Sequence, residues 1–248
     1  MSLPITWIEV SLVVYLLVMW ASLLFGGFVV GRLNPEQTHR ISRPMRLTSS
    51  FMLVMGAWLW FIIAQGTQAS DLSLWFAIGM TFGFLGDIFM AEVVPVDNHV
   101  FYGMLAFGIG HLAYIFGMLR TSLALNITLV NLWLLVIWWL LALLAWYFVI
   151  FYKRDLQSLQ YFALPYAILL ATTVGVAMGI AVIQPVFWII TIGAGLFLFS
   201  DLILAAQLFN NLKFKSIGDV VWLTYGPGQM LIVFGMAIAA IVQLVAQS

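Results

Sequence analysis

The stretch ITLVNLWLLVIWWLLALLAWYFVIF, residues 127–151, contains no charged side chain. A helix needs about 20 predominantly apolar residues to cross the hydrocarbon core of a bilayer. This stretch is longer than that, and as a helix it would be apolar on all sides, with no face left for water. It therefore predicts a transmembrane helix.

Seven further stretches of the chain have the same character. None of them alternates apolar and polar residues as a barrel strand would, so we expect helices rather than a β-barrel. The sequence therefore predicts an all-α membrane protein of eight transmembrane helices, folded as a single domain over residues 1–248. The seven other stretches are Trp7–Gly31, Leu47–Ala64, Leu72–Ala91, Val100–Leu119, Tyr161–Ile183, Val186–Phe209 and Asp219–Leu244.

The composition of the whole chain agrees with this fold class. Of the 248 residues, 65% are apolar and only 7% are charged, with no net charge. A soluble domain carries roughly 25% charged residues, so a soluble enzyme, a disordered chain and a nucleic-acid-binding protein with a basic surface are all excluded. The chain has no cysteine, which excludes disulfides, a thiolate nucleophile and a cysteine-ligated zinc site.

The basic residues fall in alternate loops. Eight of them lie on the side of the first loop, and Arg120 alone lies on the other side. Because cytoplasmic loops carry an excess of Lys and Arg, we expect both termini to be extracytoplasmic, in what we take to be a bacterial cytoplasmic membrane. The eight residues are Arg32, Arg40, Arg43, Arg46, Lys153, Arg154, Lys213 and Lys215.

Two pairs of spans resemble each other. Residues 107–118 of the fourth span and 225–236 of the eighth are identical at five of twelve positions, and His111 aligns with Gln229. The third and seventh spans also align, with Asp87 over Asp201. We interpret this as a duplicated four-helix unit with parallel halves of about 1–120 and 121–248. The alternative is chance recurrence of small residues on helix-packing faces.

The two aligned aspartates are the main candidates for chemistry. Asp87 and Asp201 each lie about fifteen residues into a span, which places both carboxyls ~22 Å from the outer surface. A carboxylate at that depth costs roughly 2.5–3.5 kcal/mol, so it normally faces the bundle interior. Two carboxyls brought together there would share one proton and provide an acid and a base in one site. The alternative is a protonated aspartic acid that donates to a helix carbonyl.

Further polar residues accompany the aspartates. His111 is expected near mid-membrane, where it would act as a proton shuttle, as an orienting group, or only as an interhelical hydrogen-bond donor. We predict that five residues line a substrate pocket with the two aspartates. They are His111, Tyr114, Tyr225, Gln229 and Ser200.

Several reaction classes lack their motifs in this chain. The sequence has no G-x-S-x-G serine, no H-E-x-x-H helix and no P-loop, which argues against a serine hydrolase, a zinc protease and an ATP-driven pump. Acid–base catalysis by carboxylates, or transport mediated by them, is what the residues favour. We expect no cofactor and no metal.

At these residues the sequence resembles the YhhN-like lysoplasmalogenase family of eight-span membrane proteins. The resemblance covers the third, fourth, seventh and eighth spans. It is carried by Leu85–Phe89, by Gly103, Phe107, His111 and Tyr114, by Gly193–Ala205, and by Thr224, Tyr225 and Gln229.

The resemblance implies an ether hydrolase that cleaves the vinyl ether bond of lysoplasmalogens. The products would be a fatty aldehyde and glycerophosphocholine or glycerophosphoethanolamine. A vinyl ether reacts with water once its β-carbon is protonated, so Asp87 and Asp201 would suffice as acid and base. The partners implied are a lysophospholipid substrate and membrane lipids, without nucleic acid, and the oligomeric state is left open.

Three other functions use the same pair of aspartates. An aspartyl intramembrane protease would need its G-x-G-D element, but position 84 is Phe, and the aspartates lie four spans apart rather than on adjacent helices. A proton-coupled carrier and a non-catalytic lipid-binding or sensory protein remain as alternatives.

Overall fold

A computed structural model of the chain describes residues 6–124, 126, 132–152 and 158–245. Within these residues the protein has eight helices long and apolar enough to cross a membrane, and no strand. This confirms the predicted all-α membrane fold with eight transmembrane helices. In chain order they are α1 (Trp7–Val30), α2 (Arg43–Ala64), α3 (Ser70–Met90), α4 (His99–Ala124), α5 (Trp133–Phe151), α6 (Ser158–Ala181), α7 (Trp188–Asn210) and α8 (Ile217–Val245).

Helix α2 begins earlier than hydropathy predicts, at Arg43 rather than at Leu47. Ser42 precedes it in an extended conformation, and Pro44 occupies its first turn, where a missing N–H costs nothing. Long arginine side chains can pack their stems on apolar surface while the guanidinium reaches water. Arg43 and Arg46 therefore belong to the helix and not to the loop before it.

The loop between α1 and α2 is fastened to the start of α8. Gly218 N donates to Thr38 O at 2.8 Å, and Ser216 N donates to Gln37 O at 2.9 Å. The side chain of Asp219 accepts from the backbone N–H of Arg40 at 2.7 Å. These loops therefore lie at one end of the bundle. We call it the basic end and define it by loops 31–42, 91–98 and 211–216; the assignment of this end to the cytoplasm stays a prediction.

Two equivalent pairs of glycines bring helices into close contact. A Cβ atom on Gly110 of α4 would lie 2.7 Å from the carbonyl oxygen of Gly79 in α3, and one on Gly228 of α8 would lie 2.9 Å from that of Gly193 in α7. Only glycine permits such an approach of two backbones. The pairs occupy equivalent positions of the proposed repeat and make equivalent contacts. The duplication itself stays a prediction.

Of the two aspartate-bearing helices, α3 is about half buried and α7 about one third buried, whereas α1 and α5 are mostly exposed along their lengths. Helix α3 packs most extensively on α4, and α7 on α8. Helix α8 also contacts α2 and α3, so Asp87 in α3 is surrounded by three helices. Asp201 in α7 faces α6 instead.

Candidate functional site

Asp87 is buried near the basic end of α3, with 3% of its surface exposed. Its Oδ2 atom accepts hydrogen bonds from the Ser50 hydroxyl of α2 and from the Tyr225 hydroxyl of α8, the latter at 2.9 Å. Its Oδ1 atom has no hydrogen-bond partner among the residues that the structure describes. One carboxyl oxygen is thus held by hydroxyl groups of two neighbouring helices, and the other is able to accept a further hydrogen bond.

A chain of hydrogen bonds extends from Asp87 into the bundle. Gln229 Nε2 donates to the Tyr225 hydroxyl at 3.5 Å, and the Tyr114 hydroxyl donates to Gln229 Oε1 at 3.1 Å. All three side chains are buried. Because Tyr225 accepts from Gln229, its own proton is directed to Asp87. Gln229 and Tyr114 thereby fix the orientation of the group that binds the carboxyl.

Asp201 has a different environment on α7. Its Oδ2 atom accepts a hydrogen bond from the Tyr166 hydroxyl of α6. No other described side chain donates to it. Its Oδ1 atom is therefore unpartnered within the described part of the chain, as it is in Asp87, but Asp201 has one hydroxyl donor where Asp87 has two.

Two cavities meet at the aspartates. The polar cavity, about 200 Å³ at the basic end, is lined by Asp87, Asp201 and Tyr225 together with residues of the first loop and of α2. The apolar cavity, about 460 Å³, lies among α4, α5, α6 and α7 and is lined by Asp201 and Tyr166. Four residues line both cavities. They are Met90, Phe107, Asp201 and Leu204.

The apolar cavity reaches the outer surface of the bundle. Leu141 of α5 and Phe199 and Leu208 of α7 line it, yet 49%, 51% and 43% of their respective surfaces are exposed. At Gly195, which lines the same cavity, an added Cβ atom would meet nothing within 4 Å. The cavity therefore opens sideways between α5 and α7, at the level where a membrane would contain lipid chains.

Not all of the predicted pocket residues line these cavities. Ser200 lines the polar cavity, but its hydroxyl donates to Val221 O at 3.0 Å. Tyr114 and Gln229 lie behind Tyr225 and reach neither cavity wall. The expectation that all five residues share one pocket with the aspartates is therefore replaced by an arrangement in two layers.

His111 lies apart from both carboxyls. Its Nδ1 atom is 2.9 Å from the Thr173 hydroxyl of α6, and its ring packs on Phe197 with the centroids 4.5 Å apart. Its Nε2 atom has no partner within the described residues, and the side chain lines neither cavity. A direct proton exchange between His111 and the aspartates has no hydrogen-bonded path here.

Sequence reasoning missed four residues of the site. Ser50 and Tyr166 bind the two carboxyls, and Arg43 and Arg46 line the polar cavity. Tyr166 could have been found from the sequence by comparing depths in the membrane. Tyr166 and Asp201 lie at similar distances from the basic ends of α6 and α7, so they are expected at the same level of the bundle. Within the described ranges, no group of three His, Asp or Glu side chains converges as a metal site would.

No curated protein and no solved structure matches the chain. The sequence model of the YhhN family matches residues 45–236, a range that contains both aspartates and the hydroxyl groups that bind them. A match over most of the chain shows the family, and the protein therefore belongs to the YhhN family.

Proposed function

We propose that the protein is a membrane hydrolase that cleaves the vinyl ether bond of lysoplasmalogens. The observation that carries this proposal is the meeting of an apolar and a polar cavity at two carboxyl groups. A single-chain lipid has the same division, with the vinyl ether between its hydrocarbon chain and its polar head. Family membership supports a role of this kind.

The apolar cavity suits the hydrocarbon chain. Its volume of about 460 Å³ is within the roughly 300–1,000 Å³ of ligand pockets. Because it opens sideways between α5 and α7, a lipid can enter from the bilayer without bringing its chain through water. The polar cavity then receives the glycerol and the head group at the basic end.

The two carboxyls divide the reaction between them. Asp201 lines the apolar cavity as well as the polar one, so it is the acid that delivers a proton to the β-carbon on the chain side. Asp87 already accepts two O–H hydrogen bonds and is the carboxylate that stabilises the oxocarbenium ion and takes a proton from water. Attack of that water at the α-carbon gives a hemiacetal, which collapses to the aldehyde and the free glycerol hydroxyl.

The remaining predicted residues position this pair. Tyr225 holds Asp87, and Gln229 with Tyr114 holds Tyr225. These groups do not exchange protons with the substrate in this mechanism, so their loss lowers the rate less than the loss of a carboxyl does.

The test is mass spectrometry of the purified protein with three lipids. These are a lysoplasmalogen, its saturated ether analogue and an acyl lysolipid. We expect aldehyde and glycerophospho-base from the first and no change in the other two. Consumption of the saturated ether would exclude vinyl ether chemistry, and binding or transport of all three without products would favour the carrier or lipid-binding alternatives.

Amide variants test the role of the carboxyls. Asp87→Asn and Asp201→Asn should each lower kcat at least about 10²-fold, as lost acid–base catalysis does. If the two act as a unit, the double variant should be scarcely slower than the slower single one. Asp71→Asn is the matched control, because Asp71 lies at the surface in an ion pair with Arg120. Full activity in a folded Asp201→Asn protein would disprove the mechanism.

A further inference from the structure

Two arginines of α2 line the wall of the polar cavity, on the same helix as the serine that binds Asp87. Arg43, Arg46 and Ser50 are spaced at three and four residues along α2, which places them on one face of the helix. Both arginines line the polar cavity, and Ser50 donates to Asp87. Arg46 and Ser50 are therefore only about 6 Å apart along the helix axis.

Arg46 is held in place but forms no ion pair within the described residues. Its guanidinium lies over the ring of Trp222, 5.4 Å from the centroid, and its Nε atom is buried without a hydrogen-bond partner among the described residues. Within that part of the chain the one ion pair joins Arg120 to Asp71, at the opposite end of the bundle. A buried donor of a charged group without a partner is costly, so the site favours an anion.

The nearby Asp219 does not serve as that anion. Its Oδ1 atom accepts from the backbone N–H groups of Arg40 and Ile41 at 2.7 and 3.3 Å, and so it fixes the loop. No guanidinium nitrogen of a described Arg lies within 4.0 Å of its carboxylate. Asp87 and Asp201 are the only carboxylates among the described residues that line the polar cavity, and the proposed reaction uses both.

We propose that Arg43 and Arg46 bind the phosphate of a phosphate-bearing lysolipid and so make the phosphodiester, rather than the amine beyond it, the recognised part of the head group. This inference rests on the proposed function and specifies which residues recognise the head group of its substrate. Arginine presents a planar set of N–H donors that matches phosphate oxygens. In the substrate one glycerol backbone separates the phosphate from the vinyl ether. In the protein Arg46 lies about one helical turn, and Arg43 about two turns, from Ser50, which donates to Asp87.

The lining of the polar cavity also predicts that the choline or ethanolamine group of the substrate is not specifically bound. A choline or ethanolamine group would need a carboxylate or an aromatic cage for specific binding. The described lining of the polar cavity provides no carboxylate beyond the catalytic pair. Of its three aromatic rings, Trp222 already stacks on Arg46, and Phe107 and Tyr225 pack edge to face on each other. Phosphocholine and phosphoethanolamine substrates should therefore react with similar kcat/KM.

The experiment compares lysoplasmenylcholine, lysoplasmenylethanolamine and an alkenylglycerol, which has the vinyl ether but no phosphate. With the wild-type protein we expect the first two to have similar KM values and the third to have a KM at least about tenfold higher, the effect of losing a charge-assisted hydrogen bond. In Arg46→Gln the phosphate-bearing substrates should lose this advantage, whereas the alkenylglycerol should keep its wild-type KM. Arg120→Gln, which changes an exposed arginine at the opposite end, is the matched control.

The variants and outcomes separate this inference from the proposed function. If no vinyl ether substrate turns over, the proposed function fails. If all three turn over with equal KM, the phosphate inference fails while the hydrolase stands. Arg43→Gln tests the same site at a residue exposed on the surface, in case Arg46→Gln does not fold, and Arg46→Lys should restore only part of the affinity because it lacks the planar fork.

A binding measurement distinguishes a lipid phosphate from free phosphate. The saturated ether lysolipid, which does not react, is titrated by tryptophan fluorescence with inorganic phosphate as competitor. Competition that weakens in Arg46→Gln, together with weaker lipid binding in that variant, supports the proposal. Phosphate binding that depends on Arg46, with lipid binding unchanged by the substitution, would overturn it in favour of a free-phosphate site.

Discussion

Tyr225→Phe removes one hydroxyl from the site and tests whether Asp87 works as a held carboxylate. The hydroxyl donates to Asp87 at 2.9 Å, and both side chains are buried, with 5% and 3% of their surfaces exposed. The phenylalanine ring keeps the packing against Phe107, Phe197 and Trp222. The substitution therefore changes the hydrogen bonds and little else.

The size of the effect follows from the kind of bond that is lost. A hydrogen bond to a charged group contributes about 1.5–3 kcal/mol, which corresponds to a roughly ten- to hundredfold lower kcat if the bond stabilises the carboxylate in the transition state. Ser50 still donates to Asp87 in the variant, so activity should fall but not vanish. The free energy of unfolding should fall by about 1–3 kcal/mol, because Gln229 Nε2 loses its acceptor in a buried site.

The assay is steady-state aldehyde release by purified protein in detergent or nanodiscs, with thermal unfolding measured on the same samples. Tyr114→Phe is the graded control, since it removes a hydroxyl one step further along the chain of hydrogen bonds, 3.1 Å from Gln229 Oε1. It should lower kcat less than Tyr225→Phe does. Unchanged kcat in Tyr225→Phe, or a larger loss in Tyr114→Phe, would refute the role assigned to this hydrogen-bond chain.

Three further outcomes are expected. Gly195→Phe should lower kcat/KM for long-chain lysoplasmalogens and spare short-chain ones, because the new ring would fill the apolar cavity about 9 Å along the helix from Asp201. Gly179→Phe should change neither, because a Cβ atom there also meets nothing but the residue lines neither the apolar nor the polar cavity. The pKa of His39 is lowered, first by burial and then by the charge of Arg46. As the pH falls below about 6.5, the unfolded chain therefore binds a proton that the folded chain does not. The thermal stability of the wild type should drop in this pH range, and that of His39→Gln should drop less. His111→Gln should keep most of the activity, since the side chain lines neither cavity; a loss of kcat as large as that of an aspartate variant, with unchanged thermal stability, would assign it a proton-transfer role.

The spans and the two aspartates could be predicted because both depend on a large transfer energy. A run of about 20 apolar residues is long enough to span a bilayer and is best accommodated there. A carboxylate inside such a run must face the interior of the helix bundle. Asp87 and Asp201 could be identified as candidate site residues without knowing which residues donate hydrogen bonds to them. The fold class followed from the same reasoning.

The partners of the carboxyls could not be predicted in the same way. A serine or threonine in a membrane helix commonly donates to the carbonyl four residues earlier, as Thr81 and Thr121 do, so nothing in the sequence distinguishes Ser50. The sequence favours Ser200 as a pocket residue because it precedes Asp201, but neighbouring residues point in different directions around a helix, and its hydroxyl binds a backbone carbonyl.

The place of the two arginines in the site could not be predicted, because hydropathy puts the start of the second span too late in the sequence. Hydropathy begins the second span at Leu47, which leaves Arg43 and Arg46 in a loop, whereas the helix begins at Arg43. Charged residues at a helix end lower the mean hydropathy of a window although their stems remain in apolar surroundings. Only the helix register places Arg46 on the face that carries Ser50.

The junction of the two cavities at Phe107 and Asp201 separates a compartment open to lipid from one at the basic end. In the proposed reaction, a bond cut at this junction would leave each product on the side in which it dissolves. The aldehyde would diffuse away within the bilayer, while the glycerophospho-base would leave into water, and neither would have to pass the other. Release would then be driven by partitioning between two phases, so aldehyde accumulating in the membrane should inhibit the protein by competing for the apolar cavity, independently of the water-soluble product.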